Sequence, residues 1–180
     1  MLDAASVTTA PRAGVLRRLA AIAYDSLLLL AVLFIASWAA LPFTHGEAVH
    51  ANNPLFTSYL FLITFFFFAW FWIHGGQTLG MRAWRLRVQL RDGNPIGWWH
   101  ALLRFLTGLP AWGLLGLGIA EHVIKDHTQL PALVAMLYRL PTGLVIGVGA
   151  LWVVLDNTRW SLRDRYSETV VVLLPKGVKG

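Results

Sequence analysis

The residues of this chain best placed to do chemistry are carboxylates and guanidiniums set into apolar sequence. Asp25 lies inside RRLAAIAYDSLLLLAVLFIASWAAL, residues 17–41, a run long enough to cross a bilayer. A carboxylate there costs at least about 2.5 kcal/mol unless it is partnered. Two roles justify such a cost: taking up a proton or small cation on a path through the membrane, or fixing helix registry through an ion pair. The helix itself supplies no close partner, because the residues four before and four after Asp25 are Ala21 and Leu29. Arg18 shares its face but sits about 10 Å away along the axis at 1.5 Å per residue. The partner is therefore expected from another helix. Arg104, early in a later apolar segment, is the leading candidate, and Asp156, near Arg159, falls in the same layer. Asp25, Arg104 and Asp156 form the expected charge cluster or ion path. Arg104 alone can instead snorkel to headgroups.

The elements that must position these groups are helices in lipid. Hydrophobic residues make up 57% of the 180 and charged residues 13%, against about 25% charged in soluble domains. Four segments qualify as spans: Leu16–Leu41, Leu55–Ile73, Ala101–Ala120, and one within Pro131–Leu155, where Arg139 and Pro141 blur the start. The first run is about twice a signal-peptide core of 7–15 residues, so an uncleaved helix is expected. Lys and Arg alternate between flanks. The N-terminal flank carries Arg12, Arg17 and Arg18, residues 42–54 carry none, and the next loop carries Arg82, Arg85, Arg87 and Arg91. The third loop has Lys125, and the tail has Arg159, Arg163, Arg165, Lys176 and Lys179. This pattern puts both termini and the middle loop in the cytoplasm. The expected fold is an all-α polytopic membrane protein of four transmembrane helices, one domain over residues 1–180, with no repeat of fixed period visible. The net charge of +6 belongs to segments that meet anionic headgroups, so no nucleic-acid partner is expected.

The middle loop carries its own pattern. In WRLRVQLR, Trp84, Leu86, Val88 and Leu90 alternate with Arg85, Arg87, Gln89 and Arg91, as in a half-buried strand or an interfacial ribbon. DGNP, residues 92–95, is a turn signal, and TVVVLL, residues 169–174, also reads as a strand. The two segments are expected to form a small cytoplasmic β element. The glycines of GGQTLG, residues 75–80, let the chain turn as it leaves the second span. Gln77 and Thr78 can then bind freed backbone groups, as the bilayer edge requires.

Enzyme chemistry finds no support. The chain has no cysteine, no phosphate loop with its lysine, no zinc-binding His-Glu-x-x-His and no nucleophile elbow. No enzyme activity, metal or cofactor is expected. His45, His50, His122 and His127 fall in outer loops without helical ligand spacing, and Glu121 and Asp126 beside them read as solvated. His74 and His100 flank the middle loop, where interfacial packing is expected.

These segments together resemble the RDD family of bacterial membrane proteins. In RRLAAIAYD, Arg18 matches the family arginine and Asp25 its first aspartate. GGQTLGMRAWRLRV, with Gly76, Gln77, Thr78, Gly80 and Arg82, resembles the middle signature, followed by DGNPIGWWHALLRFL. LDNTRWSLRDRYSETVVVLLP resembles the last, with Asp164 as the second aspartate. The resemblance covers about residues 12–175. Two positions depart from the pattern: Arg163 stands where a histidine is expected, and Glu168 where a glycine would ease the turn into the last strand. The resemblance implies a bacterial inner-membrane, multi-pass protein. It also implies a link to transport, since some members are tied to sodium–proton exchange.

Two functions follow as expectations. One is a small-cation or proton transporter, or a subunit of one, using Asp25 with Arg104 and a cytoplasmic entry at Asp156 or Asp164. Four spans are few for such a machine, so a homo-oligomer or a membrane partner is expected with it. The other is a non-transporting scaffold that holds a partner or anionic lipid through its basic cytoplasmic loop, at Arg85 and Arg87.

Overall fold

The computed structural model describes residues 11–44, 53–123, 141–158 and 161–175. Helix α1, Val15–Ala40, runs into a 3-10 turn at Leu41–Thr44, where Pro42 has no amide to continue the ladder. Helix α2, Pro54–Gly75, starts on Asn53, whose side chain accepts from the Leu55 and Phe56 amides. Pro54 takes the first position, where an amide is not needed. The helix ends at Gly76, whose positive φ of 67° returns its N–H to the Trp72 carbonyl. A Cβ there would stand 2.6 Å from the Val88 carbonyl oxygen, so glycine is also required by close approach.

The short helix α3, Leu79–Ala83, leads into strand β1, Leu86–Leu90. Helix α4 is Trp98–Val123, α5 is Thr142–Asp156, α6 is Leu162–Tyr166, and strand β2 is Thr169–Leu173. β1 and β2 form a two-stranded antiparallel sheet with Val88 opposite Val171. The middle loop is thus a strand and not an interfacial ribbon. Its strict alternation breaks at Gln89, which is buried together with Leu86 and Val88.

α1 and α2 are long and apolar enough to cross a membrane. On α1, Leu27, Leu30, Phe34 and Trp38 are 66–74% exposed, an apolar stripe of the kind that meets a membrane or another protein surface. α4 contains the expected third segment. α5, at 15 residues, holds the described part of the fourth, and residues 131–140 of that expected span lie outside the described residues. The core gathers at the end where the arginines are. There Ala21, Ala69, Trp72, Met81, Ala101 and Phe105 pack with Leu86, Val88 and Val171 of the sheet.

The chain repeats itself, although its sequence does not show it. An offset of 83 residues carries α1 onto α4, both 26 residues long, α3 onto α6, and β1 onto β2. Local hydrogen bonds follow the same offset. Arg18 N to Gly14 O becomes Ala101 N to Gly97 O, Trp84 N to Gly80 O becomes Ser167 N to Arg163 O, and Leu173 N to Pro11 O matches Leu90 N to Asn94 O. Each short helix is capped by a hydroxyl, Thr78 or Ser161. Each is followed by a residue of positive φ, Arg85 at 58° or Glu168 at 54°. In the ladder, Val88 pairs with its own counterpart Val171, and Leu86–Leu173 exchanges with Thr169–Leu90. A local two-fold axis therefore passes through the Val88–Val171 pair. Along the two long helices only Leu19 and Leu102 coincide in type, which hides the repeat from the sequence.

If the halves are equivalent units, their order in the chain is interchangeable. A permuted chain in which residues 93–180 precede residues 1–92 is expected to elute as a monodisperse species and melt cooperatively, as the parent does. Size-exclusion chromatography and thermal melting check this, and a permuted chain that only aggregates would refute the equivalence.

Candidate functional site

Asp164, in the first turn of α6, is the acceptor around which the site is built. Its Oδ2 takes Nη1 of Arg18 at 2.8 Å and its Oδ1 takes Nη1 of Arg104 at 2.5 Å. One carboxylate thus ties α1 and α4 to α6. Arg104 also donates to Thr169 Oγ1 at 2.7 Å and lies 5.4 Å from the Trp72 ring centroid. The ring face offsets part of the second guanidinium charge. Arg18 adds a long bond to the Val171 carbonyl, 3.4 Å. Burial pushes the Asp164 carboxyl up, but Arg104, Arg18 and Arg163 together outweigh it and hold it below the usual carboxylate range.

Asp25 is placed differently from expectation. Arg104 does not hold it. Its Oδ2 accepts from Thr78 Oγ1 and its Oδ1 from the Gly80 amide at 2.8 Å. The reason is local. The turn at residues 76–78 swings α3 against α1, and Gly80 has no side chain to keep the two apart. A Cβ on Gly80 would lie 2.8 Å from the Asp25 carboxyl carbon. The same Thr78 oxygen accepts from the Met81 amide, and Gln77 Nε2 donates to the Leu86 carbonyl at 2.6 Å. The expected backbone role of Gln77 and Thr78 is therefore present, with Asp25 as an added partner. Among the described residues, Asp25 forms no ion pair.

Asp156 also departs from the expected cluster. It turns to α6, where Oδ1 accepts from Ser161 Oγ and the Arg163 amide, both at 3.1 Å, and Oδ2 lies 3.1 Å from Arg163 Nε. The two-fold plan relates the donors and not the acceptors. Gly80 N and Arg163 N are counterparts, and each is met by a carboxylate: Asp25 from α1, Asp156 from the end of α5. The counterpart of Asp25 is Gly108, and the Arg163 side chain passes beside it, 3.6 Å from where a Cβ would stand. Burial first, then Arg104, pushes the Arg163 guanidinium down to about 10. It therefore stays charged at neutral pH, where a histidine in its place would titrate.

Asp25, Arg18, Arg104 and Arg163 line one cavity of about 270 Å³, walled otherwise by Phe61, Trp72 and Phe105 among other apolar groups. Asp25 and Arg104 thus share a cavity without sharing a bond. Arg82 of the loop signature is exposed. His74 stacks on Trp70, centroids 3.9 Å apart, and His100 Nδ1 accepts from the Gly97 amide at 3.4 Å. His45, His50, Asp126 and His127, like Arg159, lie outside the described residues. Sequence reasoning missed Arg163 as the partner of Asp156 and Thr169 as a ligand of Arg104. The only signal for Thr169 was a hydroxyl at the head of the apolar run TVVVLL.

The RDD family model matches residues 12–168, and the chain belongs to the RDD family. No curated protein and no solved structure matches it. Arg18 and Asp164, the two residues read from the sequence as resembling the family's arginine and second aspartate, are joined at 2.8 Å.

Replacing Asp164 by Asn leaves two buried guanidiniums without their anion and is expected to lower stability by about 3–5 kcal/mol at neutral pH. The folded carboxyl titrates below its ordinary value, so its stabilisation is complete above about pH 4 and fades as pH falls through the lower folded value. The gap between wild type and Asp164→Asn should therefore narrow below about pH 4 in melts of detergent-solubilised protein. Gly80→Ala, which forces α3 off α1, is expected to destabilise by about 1–3 kcal/mol in the same assay.

Proposed function

We propose that this RDD-family membrane protein is a proton-linked small-cation transporter, or a subunit of one, with Asp25 as the group that takes and releases the proton. One observation carries the reading. Every arginine on the inner cavity has an aspartate elsewhere, whereas among the described residues Asp25 has only a hydroxyl and an amide. Its proton therefore sets the net charge of the cavity, as a carboxylate in a proton relay must. The Arg18–Asp164–Arg104 group closes the basic end of the cavity and would have to shift for an ion to pass.

The reading takes four spans with both termini in the bacterial cytoplasm, as the Lys/Arg alternation requires. It takes an oligomer or a membrane partner as well, and no enzyme chemistry. The scaffold alternative relies on Arg85 and Arg87. Both are half-buried, and Arg87 packs along Gly76, which leaves the loop less free to hold a partner and favours transport.

Proteoliposomes holding purified protein under an imposed pH gradient should show cation-dependent proton flux. Asp25→Asn should abolish it while the variant still elutes and melts as a folded protein. Wild-type liposomes with inserted, folded protein and no flux would refute the proposal.

A further inference from the structure

We propose that a second cavity, on the basic side of Arg18, binds a phosphate group. The proposal stands on this cavity alone and does not need the transport reading. The cavity is about 580 Å³, within the roughly 300–1,000 Å³ typical of small-molecule sites. Four arginines line it, Arg12, Arg18, Arg91 and Arg165. The single carboxylate on its wall, Asp164, is already divided between Arg18 and Arg104. Arg12, Arg91 and Arg165 are exposed, so their forks are free to close on a ligand. Arg18, on the cavity wall, is 5% exposed, and its Nε has no hydrogen-bond partner among the described residues.

A second feature points the same way. Gly14 and Val15, which open the 26-residue helix α1, line this cavity. The helix start has no side-chain cap and no acidic residue in its first turn. Its first amides, uncapped by any side chain among the described residues, and its positive dipole end therefore lie at a cavity lined by arginines, and both favour an anion. The counterpart helix α4 is treated differently, because the Gly97 amide before it is met by the His100 ring. The local two-fold is broken where an anion would sit.

The class of anion follows from charge and shape. Guanidinium forks match carboxylate and phosphate oxygens two at a time. A phosphate monoester carries about −1.5 to −2 charge and three acceptor oxygens, which suits several arginines with one shared aspartate better than a single carboxylate does. The phosphate can come from a lipid headgroup or from a soluble molecule, and the experiment separates the two.

Calorimetric titration of the full-length protein in detergent uses three probes: inorganic phosphate, dihexanoyl phosphatidic acid, and dihexanoylglycerol as the phosphate-free control. The protein is wild type, an Arg12→Gln/Arg91→Gln/Arg165→Gln variant, or Arg82→Gln, which alters an exposed arginine outside the cavity. Saturable binding of both phosphate probes, weakened by about tenfold or more in the triple variant and kept in Arg82→Gln, supports a site for the phosphate group itself. The same pattern with phosphatidic acid alone supports a headgroup site. No binding of either phosphate probe, equal binding by the triple variant, or equal binding of dihexanoylglycerol overturns the proposal.

Discussion

One buried carboxylate with two guanidiniums on it sets the terms for the rest of this structure. Asp164 reaches α1 through Arg18 and α4 through Arg104, the two helices related by the internal repeat. Neither arginine could be buried alone, since an unpaired charge out of water costs several kcal/mol. Neither is paired with an acid of the helix that carries it: on α1 Asp25 turns away to Thr78 and Gly80, and both arginines go to Asp164. The tail must therefore fold back to deliver Asp164. The helix α6 and strand β2 that deliver it also close the sheet on β1. The pairing of Thr169 with Arg104 and of Val171 with Arg18 shows how directly the sheet depends on that cluster.

The two-fold plan gives the frame, and its violations give the site. Both halves use a long helix, a hydroxyl-capped short helix, a residue of positive φ and a strand. On this shared frame the charged groups are distributed unequally. Asp25 has Gly108 as its counterpart, Gly80 has Arg163, and Arg18 has Ala101. A symmetric arrangement would place like charges against each other at the axis. The unequal one lets a carboxylate, three guanidiniums and a cavity coexist beside a symmetric sheet.

Much of the frame was legible in the sequence, because it rests on local signals. Apolar run length marked the helices. The turn at residues 75–80 was marked by its glycines, and the two strands by alternation and β-branched residues. Asp25, Arg104 and Asp156 were also visible, since charge in apolar sequence stands out, whereas Asp164, in the polar stretch SLRDRYS, was marked only by the family resemblance. Their pairing was not visible. Depth along parallel helices suggested Asp25 with Arg104. The outcome depended on Gly80, whose missing side chain lets an amide and a hydroxyl reach Asp25 first, and on a tail helix whose position no local pattern reveals. Glu168, where the resemblance led one to expect glycine, adopts the positive φ that glycine would take most easily. The repeat stayed hidden because lipid-facing positions accept any large apolar residue, so the two halves kept geometry and lost identity.

Asp164 holds the structure through Arg18 and Arg104 together. A double-mutant cycle on the folded protein in detergent measures this, comparing the loss of stability on Asp164→Asn in wild type with the loss in an Arg18→Gln/Arg104→Gln background. The second loss should be smaller by at least about 1 kcal/mol, the coupling expected of residues in one buried network. Equal losses in the two backgrounds would mean that Asp164 acts through other groups and not through this pair of arginines.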